Sequence, residues 1–286
     1  MQSSNPAFRG NAFNQGFGGA AYGAPGYGAP GYGTQQYGAP GYGTQPYGAY
    51  GQAPGYAPPT GIRPMTMDDV VVRGFLTLVT LLITAAASWV LVPPRLAVPV
   101  LIGAFIAEVG IWAFITFGRK ANAPLVLAFA ALYGVVVGII SHSYNDLFHG
   151  VVFQAVIGTA LAFGAMLAVY ALRIVRVTPK FAKFTIGAGL ALVALMAVNL
   201  LMILFGSDDG LGIRDPSNPL AYVFSVIAIL VGCFFLLLDF DEIENGVRAG
   251  APEKFAWYCA FGLVLSLVWI YLEILRLLSY VYAGRD

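Results

Sequence analysis

Seven long apolar stretches dominate the pattern of the chain, and short polar connections separate them. Each stretch approaches the length of about 20 residues that a helix needs to cross the hydrocarbon core of a bilayer. We therefore predict an all-α fold, a polytopic bundle of seven transmembrane helices. The helices are expected at Val70–Val92, Leu96–Phe117, Leu125–Ser141, Val151–Leu172, Phe184–Phe205, Leu220–Leu238 and Phe255–Tyr282. The third stretch is short and rich in glycine, so we expect it to be tilted or partly buried.

Small residues are spaced for close helix packing in the third stretch, where Gly134 and Gly138 form a G-x-x-x-G pair. Membrane helices approach each other closely where such residues line their interface. This spacing predicts a compact bundle rather than a wide pore.

Residues 1–62 follow a different pattern, in which tyrosine recurs every five residues from Tyr22 to Tyr47. Glycine and proline are abundant and aliphatic residues are nearly absent, so the segment cannot bury enough apolar surface to offset its chain entropy. We predict a disordered cytoplasmic tail at 1–62 and a seven-helix membrane domain at 63–286. The tail is interpreted either as a contact surface for lipid headgroups and membrane-protein partners or as a dispensable spacer.

Basic residues concentrate in alternate connections, and such connections usually face the cytoplasm. We therefore predict a multi-pass protein of the cell (plasma) membrane with a cytoplasmic N-terminus and the C-terminus outside. No secretory signal peptide is visible near the start, so the first apolar stretch is expected to direct insertion. The connections after the second, fourth and sixth stretches hold Arg119, Lys120, Arg173, Arg176, Lys180, Lys183, Arg248 and Lys254, whereas the others hold Arg95 and Arg214.

The composition agrees with a location in the lipid bilayer. Hydrophobic residues make up 58% of the chain and charged residues 10%, whereas soluble domains carry about 25% charged residues. The net charge of +1 gives no indication of nucleic-acid binding. Cys233 and Cys259 lie within apolar stretches, so we interpret them as buried thiols rather than a disulfide framework.

Three acidic residues are placed at or near membrane depth, where charges are costly and usually functional. Glu108 lies midway through the second stretch, and no basic residue lies within two helical turns of it. Asp239 closes the sixth stretch, and an interfacial acid beside Asp241 and Glu242 is the alternative interpretation. Glu273 lies in the seventh stretch, where a structural ion pair with Arg276 is the alternative.

Several function classes are excluded by residues that the pattern lacks. A retinal protein needs a lysine in its last helix, but all four lysines lie in or beside connections. There is no Gly-x-Ser-x-Gly, no HExxH and no G-x-x-x-x-G-K segment. His142 and His149 are expected in a connection with Asp146, and their spacing fits no standard metal site. We therefore expect no enzyme activity and no cofactor.

Several segments together resemble the transmembrane Bax inhibitor motif family. They are VIGTALAFGAM in the fourth stretch, LLLDFDEIE at the end of the sixth and LSLVWIYLEILRLL in the seventh. The opening SSNPAF, and MTMDDVVVR ahead of the first stretch, resemble the bacterial and especially the actinobacterial branch of the family. The resemblance extends from about Met65 to the C-terminus.

The resemblance implies a bundle with the last helix at its centre and a pH-sensitive calcium leak. In such a leak, an acid of the sixth helix and an acid of the seventh share a proton, and a second-helix arginine can pair with them. Matched by position, Asp239 and Glu273 are the acid pair, Arg119 is the latch and Glu108 lies along the ion pathway. An alternative alignment places Ser266, rather than Glu273, at the position of the seventh-helix acid.

The function expected from these residues is a calcium or other cation leak that a protonatable carboxylate pair gates. Calcium is then the transported ion, with binding possible at Asp239 and Glu273, and protons are the regulating ligand. Two alternatives stay open. One is a non-transporting regulator of membrane proteins or membrane proteases that acts through the tail. The other is a proton-coupled transporter of a small solute.

Overall fold

The computed structural model describes residues 63–118, 121–207 and 210–284, all within one unit of the chain, residues 57–286. Every predicted apolar stretch is an α-helix, and each of the seven helices is long and apolar enough to cross a membrane. The prediction of a seven-helix membrane bundle is therefore confirmed, whereas the predicted tail lies outside the described residues. In chain order the helices are α1 (Met67–Leu91), α2 (Pro94–Gly118), α3 (Ala123–Leu147), α4 (Val151–Ala171), α5 (Pro179–Leu204), α6 (Pro219–Arg248) and α7 (Phe255–Ala283).

The last helix, α7, forms the centre of the bundle. It packs against α6, α1, α4 and α3, whereas α2 packs mainly against α3 and α5 packs mainly against α6. Accordingly α3, α6 and α7 bury the largest share of their surface, and the other helices leave most of theirs for lipid. The central last helix agrees with what the resemblance implies. We call the contact between α6 and α7, the most extensive that α7 makes, the seam.

Polar caps followed by proline start three of the helices. Asn122, Thr178 and Asn218 each accept a backbone N–H bond with the side-chain oxygen, and a proline occupies one of the first two positions of the helix that follows. Proline suits this position because the first N–H groups of a helix have no partner within the helix. The turn residues that interrupt the apolar stretches therefore also begin α3, α5 and α6.

The G-x-x-x-G pair brings α3 into backbone contact with α1, as predicted. A Cβ atom added to Gly134 would lie 2.3 Å from the carbonyl oxygen of Leu81, and one added to Gly138 would lie 2.2 Å from that of Ala85. Ser88 Oγ donates a hydrogen bond of 3.2 Å to the carbonyl of Val135 across the interface. No side chain larger than hydrogen fits at either glycine.

The third helix is longer than predicted and continues to Leu147. His142 and Asp146 therefore belong to α3 and not to a connection, and their side chains pair at 3.2 Å one turn apart. The polar residues after Ser141 suggested a loop, and that prediction is wrong. A pair spaced four apart, such as His142 and Asp146, stabilises the exposed last turns of a helix. Within the described ranges, no group of three His, Cys, Asp or Glu side chains is close enough to hold a metal ion.

The sixth helix also continues past its predicted end, from Leu238 to Arg248. Phe240, Ile243 and Gly246 are buried in this extension, whereas Asp241 and Glu244 are half-buried and Glu242 is exposed. The apolar stretch ends at Leu238, but the helical spacing of buried positions does not. Asp239 consequently lies inside a continuous helix and not at its end.

The residues just before α1 are bound to the turn between α6 and α7. The Met65 N–H donates to the carbonyl of Ala251 at 2.7 Å, and the Glu253 N–H donates to the carbonyl of Arg63 at 2.9 Å. The Met65 side chain is only 2% exposed. Arg73 of α1 forms an ion pair with Glu253. Main-chain bonds, burial and charge thus fix this segment to the α6–α7 turn.

Candidate functional site

Asp239 projects from α6 into a notch on α7. Ser266 Oγ donates a hydrogen bond of 2.5 Å to Asp239 Oδ2. One turn before Ser266, a Cβ atom added to Gly262 would lie 2.8 Å from Asp239 Oδ1. Gly262 therefore leaves space for the half-buried Asp239 carboxylate, and Ser266, four residues later, donates a hydrogen bond to it. The notch exists because small residues on membrane helices allow close approach.

Glu273 binds a different partner, which comes from the connection between α5 and α6. Arg214 Nη2 lies 3.0 Å from Glu273 Oε1, and Arg214 Nη1 lies 3.2 Å from Glu273 Oε2. The carboxylate is almost fully buried, with 5% of the residue exposed. The guanidinium carbon of Arg214 also lies 4.9 Å from the centre of the Phe224 ring. Such a two-point bond compensates a buried charge well, because both oxygens are satisfied.

The structure does not bring Asp239 and Glu273 together, so the predicted contact between the two carboxylates is absent. Asp239 lies beside Gly262 and Ser266. Glu273 is two helical turns beyond Ser266, or ~10 Å further along the axis of α7. The alternative alignment is therefore the one that the geometry supports, since Ser266 is the residue of α7 that faces Asp239.

The alternative interpretation of Glu273 is also wrong, because Arg214 and not Arg276 binds its carboxylate. Arg276 Nε is buried and has no hydrogen-bond partner among the described atoms. An i, i+3 spacing brings two side chains within reach, but here the seventh helix directs Glu273 toward a partner from outside the helix.

Trp269 lies on the same seam, between the levels of the two carboxylates. Its indole Nε1 donates to the carbonyl of Ala228 in α6 at 3.0 Å. A Cβ atom added to Gly232 of α6 would lie 2.8 Å from Trp269 Cδ1, so the indole fills the space that this glycine leaves. An apolar ring thus separates the Asp239 level from the Glu273 level.

Glu108 is buried elsewhere, on α2, and is 8% exposed. Its Oε2 atom has no hydrogen-bond partner within the described part of the chain. Tyr133 of α3 is close enough to interact with it electrostatically. Since α2 packs mainly against α3, Glu108 belongs to a site separate from the α6–α7 seam. Arg119, the predicted latch, lies outside the described residues.

An open cavity of about 450 Å³ adjoins the Asp239 level at the end of the bundle where α6 meets α7. Asp241, Glu242 and Asn245 supply its polar lining. Glu242 follows Asp239 by one turn, and both interact electrostatically with Cys259 of α7. Carboxylate and amide oxygens attract cations, and calcium in particular prefers oxygen ligands. The remaining lining residues are Val177, Ala182, Leu238, Gly246, Ala251 and Phe255.

The family model described as Bax inhibitor 1 like matches residues 5–283, which include every described helix. The chain belongs to the Bax inhibitor 1-like family. No curated protein matches the chain. Family membership and the seven apolar helices establish a multi-pass membrane protein.

Arg214 is the main residue of this candidate site that sequence reasoning missed. From the sequence, Arg214 is only one of the few basic residues in the connections predicted to lie outside. The available signal was its position as the single basic residue of the connection GSDDGLGIRDPSNP, in a chain with an acid deep in the seventh helix. Gly262 carried a second signal, because it stands four residues before Ser266 in a small-x-x-x-small pattern.

Proposed function

We propose that this protein is a pH-sensitive cation leak of the cell membrane, with calcium as the transported ion and Asp239 as the proton-sensing group. The observation that carries the proposal is the Asp239–Ser266 hydrogen bond at the seam of α6 and α7. The gate is then a carboxylate and a hydroxyl group, in place of the two carboxylates that the family resemblance implies. A bacterial membrane is the proposed setting, with the N-terminus in the cytoplasm.

The proposed mechanism follows from the charge of Asp239. Burial in a poorly solvated seam makes the ionised carboxylate costly unless a cation or a donor compensates it. At low pH the neutral acid and Ser266 remain hydrogen-bonded and the seam stays closed. At high pH the carboxylate is ionised, and it attracts a cation into the seam. Calcium flux therefore rises with pH. The titratable groups that interact electrostatically with Asp239 include Glu242 and Cys259.

The acidic cavity serves as the entrance on the cytoplasmic side in this proposal. Asp241 and Glu242 raise the local concentration of cations next to Asp239, because clefts with charge of one sign focus the electric field. Arg248 and Lys254 mark the same end of the bundle as cytoplasmic by the positive-inside rule. Glu108 is retained as a proposed pathway residue, at the separate α2–α3 interface.

Calcium flux from proteoliposomes across a pH series tests the proposal. Asp239→Asn keeps the shape of the side chain but cannot ionise, so we expect its flux to lose the dependence on pH. Asp68→Asn is the matched control, because Asp68 is an exposed acid at the start of α1. An Asp239→Asn protein with the same pH profile as the wild type would place the sensor elsewhere.

A second candidate function is regulation of other membrane proteins, without transport. The supporting observation is the attachment of Arg63–Thr66, which follows the predicted tail, to the α6–α7 turn. A partner that binds residues before Arg63 would thereby act on the seam. Deletion of residues 1–62 decides between the two functions: a leak keeps its flux after deletion, whereas a regulator loses its bound partners.

A further inference from the structure

We propose that the guanidinium group of Arg214 acts as a tethered cation: it occupies the cation-binding position at the Glu273 carboxylate. It thereby plugs the seam at the end of the bundle opposite the cavity lined by Asp241 and Glu242. The inference deepens the proposed leak and rests on it. Ser266, Trp269 and Glu273 lie along one seam-facing stripe of α7, since a spacing of three to four residues repeats the same helix face. A cation that has passed Asp239 and Trp269 therefore meets Glu273, where the guanidinium group already stands.

The connection that carries Arg214 is built to hold it in place. Asn199 of α5 is buried, and its Oδ1 accepts a hydrogen bond of 2.8 Å from the Leu211 N–H. Tyr280 of α7 donates through its hydroxyl group to the carbonyl of Arg214 at 3.4 Å. Gly210 and Gly212 adopt positive φ angles of 59° and 69°, which glycine reaches without a steric penalty. These contacts fix the chain just before Arg214 and at its carbonyl group.

The charges around Glu273 identify Arg214 as the group that neutralises its carboxylate. Arg214 is itself 17% exposed in its side chain, so the pair lies at the border between the bundle and the surface. Arg276 is the other basic group nearby on α7, but it does not bind the carboxylate. The neighbouring acid, Asp215, is held by Ser217, whose N–H and hydroxyl groups lower the pKa of that carboxyl below its ordinary value. Glu273 is therefore the carboxylate that Arg214 neutralises, and removal of the guanidinium leaves a vacant cation site.

The first test compares calcium flux at one fixed pH for the wild type, Arg214→Gln and Arg95→Gln. Arg95 is exposed in the first turn of α2, on the same side of the membrane by the predicted topology, and its substitution removes the same charge. We expect a several-fold higher flux for Arg214→Gln and no change for Arg95→Gln. Equal flux in all three proteins overturns the plug. If Arg214→Gln does not fold, Arg214→Lys takes its place: it keeps a tethered cation, so we expect flux near the wild-type value, and a several-fold rise in flux overturns the plug.

The second test does not depend on transport. Terbium ions report a carboxylate site through luminescence that nearby tyrosines sensitise, and Tyr280 lies on the same α7 face as Glu273. We expect detergent-solubilised Arg214→Gln to bind more terbium than the wild type. The double variant Arg214→Gln/Glu273→Gln should bind no more than the wild type. Identical binding by the wild type and Arg214→Gln overturns the plug. If D239N removes the pH dependence of flux while Arg214→Gln changes neither flux nor terbium binding, the leak stands and the plug fails. If the wild type carries no flux, the leak fails, and the terbium comparison then decides only whether Arg214 occupies a cation site at Glu273.

Discussion

Ser266 Oγ donates a hydrogen bond of 2.5 Å to Asp239 Oδ2, so the seventh helix presents a hydroxyl group where a carboxylate pair was expected. This contact makes Ser266→Asp an informative change. Two carboxylates at one poorly solvated position hold a shared proton to higher pH than one carboxylate does. We expect the pH at half-maximal calcium flux to rise by about one unit or more. A pH series on proteoliposomes measures it.

Ser266→Ala is the control for this shift, because it removes the hydroxyl group without adding a charge. We expect its pH midpoint to move much less than that of Ser266→Asp. A midpoint for Ser266→Asp that coincides with the wild-type value would show that Ser266 does not face the sensing group.

Gly262→Ala tests the notch that receives Asp239. The added Cβ atom would lie 2.8 Å from Asp239 Oδ1, so the two helices must separate or the carboxylate must move. We expect a loss of about 1–3 kcal/mol in the free energy of unfolding, as for other overpacked sites. Thermal unfolding in detergent measures the loss. Gly187→Ala is the matched control on α5, because a Cβ atom there meets nothing within 4 Å.

Glu273→Ala removes one partner of a buried ion pair and leaves the Arg214 guanidinium without its carboxylate. Such changes typically lower the free energy of unfolding by about 3–5 kcal/mol. We expect a loss at the lower end of that range, because Arg214 is partly exposed at the border of the bundle. We expect a lower unfolding midpoint in the same assay. Arg276→Ala should cost less, since Arg276 does not bind Glu273; an equal cost would argue against the pair as the source of the stability.

Glu108→Gln tests the proposed pathway role of the buried acid on α2. Glu108 Oε2 has no described hydrogen-bond partner, so the neutral amide should not lower the unfolding midpoint at neutral pH. If Glu108 lies along the pathway, calcium flux falls. The pH at half-maximal flux stays at the wild-type value, because Asp239 sets it. Flux and midpoint both equal to the wild type would remove Glu108 from the pathway and leave it a packing residue.

The helices were predictable from the sequence because hydropathy depends on the composition of each segment alone. The packing role of Gly134 and Gly138 was also predictable from local sequence, because two residues spaced four apart lie on one helix face whatever the partner helix is. The end of α6 was not, because the apolar run stops at Leu238 although burial continues at Phe240 and Ile243. There the periodicity of buried positions carried more information than the hydropathy.

The pairing of the site residues could not be derived in the same way. Which residue of α7 faces Asp239 depends on the relative axial position of two helices, and that is set by contacts such as Gly232 against Trp269. Arg214 reaches Glu273 across 59 positions of sequence through a connection whose fold depends on Asn199 and Tyr280. Local spacing suggested Arg276 because it ignores partners that are remote in the chain.

Met65 gives the membrane domain a mechanical property. The residue is buried against α6 and α7, and its backbone is bonded to the turn that joins them. A pulling force on the residues before Arg63 would therefore act on the α6–α7 turn as well as on α1. Tension at this end of the membrane domain would thus pull on the turn between α6, which carries Asp239, and α7, which carries Ser266.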